Sequence, residues 1–189
     1  MKEIEDAFQT LAEEMLSTGR DTFTDAENET LAEFYGLWQE RVRFRHPPTS
    51  LLKDERILGV RVSYTDDELE LLEKNNISAF RSDGSLAIRE VTAPLIRLGV
   101  DRMRDDLAGR CWGVLRAGGG EFCVPDVPVS GVIPLTPEVI LALDNDSDII
   151  TTDEVSGVNK VLQSGAHHYI FARQVAGCPG VIVTMEKKT

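Results

Sequence analysis

From Arg110 to Asp144 the chain reads RCWGVLRAGGGEFCVPDVPVSGVIPLTPEVILALD. Apolar, β-prone runs are cut there at short intervals by glycine and proline. Proline has no amide hydrogen to give a sheet, and glycine weakens a strand interior. Such a stretch therefore predicts short strands joined by turns, with edges or bulges at the prolines. CWGVLRA and EFCVPD flank Gly118-Gly119-Gly120, which reads as a hairpin loop, and GVIPLT and EVILALD supply two further strands. Asp126 stands between Pro125 and Pro128, whose restricted backbone gives its side chain a preset direction.

The chain before this stretch is helix-rich. Ile4, Phe8, Leu11, Met15 and Leu16 recur at helical spacing over 2–17, and Gly19 is a stop. Thr24 and Glu27 have capping-box spacing and open a second helix, 25–43. Its wide stripe of Leu31, Phe34, Tyr35, Leu37, Trp38 and Val42 predicts burial across the core, and His46-Pro47-Pro48 ends it. A short helix is expected over 49–57, and 57–63 reads as strand or loop. A helix opened by Thr65 and Glu68 follows, then a small hairpin near 77–90 turning at Asp83-Gly84. Thr92 is expected to cap the next helix, with Pro94 in its first turn. Thr151 and Glu154 repeat the capping box before a helix near 152–164 that Gly165 stops. HHYIFAR and GVIVTME then read as two last strands.

Helices over 1–109 and strands over 110–189 predict an α+β fold. N-terminal helices would pack on a mainly antiparallel C-terminal sheet, in one domain. Residues 111–126 are expected as a hairpin of that sheet, beside strands near 167–173 and 180–186. Phe34, Leu37 and Trp38 are expected against its apolar face.

Apolar residues make up 42% of the chain and charged residues 28%, which excludes wholesale disorder. No apolar run approaches the ~20 residues of a membrane span. The acidic start MKEIEDAFQTLAEEM lacks the features of a signal peptide. Three cysteines, Cys111, Cys123 and Cys178, without paired spacing fit a cytosolic protein with reduced thiols. With 32 acidic and 20 basic residues the net charge is −12. Direct nucleic-acid binding, which needs clustered cations, is not expected. The acidity reads as solubility or, more sharply, as a surface that imitates nucleic acid and blocks a basic groove.

Several segments resemble the bacterial and prophage family of domain of unknown function 4238. They are LAEFYGLWQERVRF, ILGV followed by LELLEKNNISAFRSDG, WGVLRAGGGEFCVPDVPV, GVIPLTPEVILAL and VNKVLQSGAHHYIFAR. The core is GEF-x-VPD-x-P, similar to that family's Ser/Thr-Asp-Asn-Pro turn. Asn159 matches a recurring Asn and Tyr169 a recurring aromatic. Nothing here matches the His-Tyr-Val-Pro-like opening of longer members, and Val127 stands where the family often has Asn. The resemblance implies a fold and carries no established chemistry.

The candidate chemistry is sparse. Asp126 reads as a carboxylate that fixes a turn by accepting backbone amides. Its functional alternative is acid–base or metal work with Glu121, beside Arg116 from the same expected hairpin. Asn159 falls near the apolar face of its helix and reads as a core contact bonding a strand end. Arg173 is expected to pair with Asp126 or to mark an anion site. Asp144-Asn145-Asp146-Ser147-Asp148 starts like a calcium loop but has Ile149 where Gly belongs and Val155 where Glu belongs. His167-His168 cannot easily chelate one metal from adjacent strand positions. No zinc spacing, nucleophile elbow, phosphate loop or dinucleotide fingerprint occurs, so no metal or cofactor is expected. The leading expectation is a cytosolic binding or regulatory module acting through a protein partner. The alternatives are a hydrolase or metal-dependent nuclease using Glu121 and Asp126, and an acidic inhibitor of a nucleic-acid-binding protein carried by a mobile element.

Overall fold

All three capping boxes close. The computed structural model describes residues 1–45, 51–53, 63–75 and 85–183. Its helices are α1 (Lys2–Thr18), α2 (Asp25–Arg43), α3 (Asp66–Lys74), α4 (Ile88–Asp106) and α5 (Thr152–Gly165). Ahead of α2 the Thr24 amide donates to Glu27 Oε2 at 2.7 Å and the Glu27 amide returns to Thr24 Oγ1 at 3.3 Å. Thr65 with Glu68 and Thr151 with Glu154 form the same reciprocal pair. Each satisfies amides that the first turn of a helix leaves open. The Arg20 guanidinium and the Thr24 amide also hold the Glu27 carboxyl down to about 2.

The strands are β1 (Leu51–Lys53), β2 (Ser85–Ala87), β3 (Trp112–Ala117), β4 (Val124–Pro125), β5 (Val132–Thr136), β6 (Val139–Leu143), β7 (Asp148–Ile150) and β8 (Ile170–Phe171). Two compact units result, residues 1–40 with 99–189 and residues 41–98. Their boundaries fall inside α2 and α4, not at the change of composition near 109.

In the larger unit, β5, β6, β3 and β7 form one sheet in that order, antiparallel except for the parallel pair β3–β7. The architecture is α+β. Central strands β3 and β6 carry near-continuous apolar runs, and four consecutive residues of each are buried. Gly113 in β3 admits the loop that follows β6: a Cβ there would lie 2.1 Å from the Asn145 carbonyl oxygen. Phe8, Leu11 and Met15 of α1 and Leu31, Ala32 and Tyr35 of α2 cover Trp112, Val114, Ile133, Val139 and Leu141 of the sheet. Phe8 stacks on Phe34 with ring centroids 3.5 Å apart. Two polar clasps fix α2: Asn28 Oδ1 accepts the Trp112 amide and the Tyr35 hydroxyl accepts the Gly131 amide, both at 3.0 Å. Ser130 and Gly131 both have positive φ, the backbone of a tight two-residue hairpin turn, so that clasp lands on a rigid corner.

The larger unit departs from expectation in three places. The centre of the α2 contact is Leu31, Ala32 and Tyr35. Phe34 and Trp38 are half-buried at its margin, and Leu37 is buried outside this cluster. Residues 111–126 do not form a hairpin, because β6 and β7 occupy both edges of β3. The three glycines instead lead the chain away: the Gly118 amide donates to Ile150 O, Glu121 to Gly177 O and Phe122 to Pro137 O. β4 then pairs antiparallel with β8 in a separate two-stranded sheet. Finally, 181–183 is not a strand, and the rest of GVIVTME lies outside the described residues.

In the smaller unit, β1 and β2 pair antiparallel, from Leu51 opposite Ala87 to Lys53 opposite Ser85. This pairing replaces the helix expected over 49–57 at Leu51–Lys53, and the fold-back of Ser85–Ala87 within a 77–90 hairpin. The Asp83-Gly84 turn lies outside the described residues, as does 57–62. α4 begins at Ile88, so Thr92 lies within it and Pro94 is internal. Among the described residues no helix is long and apolar enough to cross a membrane.

Candidate functional site

Asp126 follows β4, and its backbone and side chain both serve β8. Its amide donates to Tyr169 O at 3.2 Å. Its carboxylate accepts the amides of His167 at 2.9 Å and His168 at 3.2 Å, one on each oxygen. The residue is only 9% exposed. Burial pushes its pKa up, but the amides of His167 and His168 outweigh it and hold the carboxyl below its ordinary range. Asp126 therefore fixes the turn from α5 into β8. The two histidines matter here through their backbone amides.

Asn159 performs the matching task on the other side of β4. It is fully buried in α5. Its Oδ1 accepts the Cys123 amide at 2.9 Å, and its Nδ2 donates to Glu121 O at 2.9 Å and Pro179 O at 3.0 Å. One carboxamide thus ties α5 to the segment entering β4 and to the loop after β8. A buried amide with three partners is satisfied, and it determines the register of everything it touches.

The remaining candidates do not converge on Asp126. Arg173 donates through Nε and Nη2 to Glu121 Oε1 and lies 3.6 Å from a Glu138 oxygen, so it pairs with Glu121 and not with Asp126 as expected. Glu121 Oε2 is buried without a hydrogen-bond partner among the described residues. Arg116 is engaged with α1 and its C-terminus. Its Nη2 donates to Gly19 O at 3.3 Å, supplying a cation to the C-terminus of α1, whose last turn holds none. The expected grouping of Arg116, Glu121 and Asp126 fails because it required the hairpin that β3 does not make.

The calcium-like loop spends its oxygens separately. Asp144 pairs with Arg110, Ser147 donates to Asp21 O while accepting the Val114 amide, and Asp148 accepts the Ile149 amide. Among the described residues no cluster of three or more His, Cys, Asp or Glu is arranged to hold a metal ion. All three cysteines are free, with Cys111 exposed and the others buried. Burial, and then the charge of neighbouring Cys178, push the Cys123 thiol up to about 11.

Large apolar side chains also lie open. Tyr169 and Phe171 flank Ile170 on β8, 44% and 59% exposed, with ring centroids 5.0 Å apart in edge contact. Phe171 also walls a pocket of about 180 Å³ with Phe122, Val124, Leu135, Pro137 and Arg173. A second, more polar pocket of about 270 Å³ lies between α2 and the end of α4, where Arg104 and Arg110 are already paired with acidic residues. Sequence reasoning did not single out Phe171. The alternation of HHYIFAR held the signal, since it sets Tyr169 and Phe171 on one face of a strand. No protein-family model, curated protein or solved structure matches the chain.

Proposed function

We propose that this chain is a binding or regulatory module that acts through a protein partner, and that the partner docks on the exposed face of β8. The observation that carries the reading is the pair Tyr169 and Phe171 beside an apolar pocket. Large aromatics left in water next to a concavity are the residues that anchor protein interfaces. The polar candidates favour the same reading, since Asp126, Asn159 and Arg116 are engaged in holding backbone. The family resemblance rests on the segments quoted for it and adds no chemistry to this proposal.

A photo-crosslinking side chain at position 171 tests it in cells of the source organism, with the same side chain at Ile149, 68% exposed on β7, as control. The expected result is one discrete protein adduct at 171 and none at 149. No adduct at 171, or the same adducts at both positions, would overturn the reading.

A hydrolase or metal-dependent nuclease is the second reading, and the Glu121 Oε2 oxygen, buried without a hydrogen-bond partner among the described residues, favours it. It predicts a phosphodiester- or ester-cleaving activity that Glu121→Gln abolishes while the melting temperature is kept.

A further inference from the structure

We draw no further inference here: the strongest candidate, the apolar pocket that Phe171 walls between β5 and β8, belongs to the docking face already proposed, and nothing in the structure shows what covers it.

Discussion

Replacing Asp126 by Asn tests the structural role assigned to it. The wild-type carboxylate accepts two amides, His167 and His168, one on each oxygen. An Asn side chain offers one acceptor and one NH2 group, so one amide meets a donor and the other loses a charged partner. A hydrogen bond to a charged group contributes about 1.5–3 kcal/mol, and weakening the second adds to this. We expect Asp126→Asn to cost roughly 2–4 kcal/mol, or about 5–15 °C in melting temperature for a chain of this size. Tryptophan fluorescence is the assay, because Trp38 and Trp112 both lie in the larger unit. Because Asp126 is held below its ordinary range in the folded state, its contribution is fully present above the usual aspartate value near 4. It is lost as pH falls through the lower folded value. The gap between wild type and variant should therefore be widest at neutral pH and narrow below pH ~4. A variant that melts within about 1 °C of wild type at pH 7 would refute the turn-fixing role. So would a gap that stays the same size at pH 3.

Asn159→Leu keeps the branched outline of the side chain, with somewhat more bulk, but leaves the Cys123 amide and the Glu121 and Pro179 carbonyls unpaired; at about 1–3 kcal/mol each it should destabilise by roughly 3–9 kcal/mol in urea unfolding. Native-state alkylation should modify exposed Cys111 alone, while Cys123 and Cys178 react only on unfolding, because both are buried and burial raises both thiol values; labelling of all three at equal rates would contradict the placement of α5 over residue 123. Gly165→Ala would put a Cβ 2.5 Å from Val129 Cγ1. This crowding should outweigh the gain in helix propensity by about 1 kcal/mol, and in a Val129→Ala background, where the crowding methyls are gone, Gly165→Ala should no longer destabilise.

How much was legible in the sequence depended on the range over which each signal acts. The capping boxes at Thr24, Thr65 and Thr151 are decided within four residues, and all three formed. The apolar runs of β3 and β6 marked them as strands, and Asp126 between its prolines read as an amide acceptor. Failures came where a partner had to be chosen at long range. Gly118-Gly119-Gly120 reads equally as a hairpin loop and as a path away from a strand whose edges are taken, and β7 lies more than thirty residues beyond β3. Leu51–Lys53 is a strand because Ser85–Ala87 pairs with it, a fact no local window contains. Gly165 illustrates a third case: the helix does end there, but Ala166 caps it in extended conformation, and the glycine is needed for close approach to Val129. Arg173 pairs with Glu121 and not Asp126 for a similar reason, since the choice between the two carboxylates depends on how β8 lies on β4.

The buried polar residues and the exposed aromatics make one physical argument. β8 is only two residues long and pairs with a strand of two residues, and a pair so short has little stability of its own. Its position comes from its ends. Before it, Asp126 holds the amides of His167 and His168. After it, Asn159 holds the carbonyl of Pro179, and Arg173 is paired with Glu121. The clasps on both sides attach to the segment from Glu121 to Asp126, so β8 cannot shift along β4 without breaking one of these bonds. Tyr169 and Phe171 are thereby presented on a backbone already ordered before any partner arrives. Ordering a loop on binding costs affinity, and a surface held in advance avoids that cost. On the proposed function, then, the residues that looked in the sequence like candidates for chemistry serve recognition indirectly, by setting the direction of two aromatic side chains that make the contact.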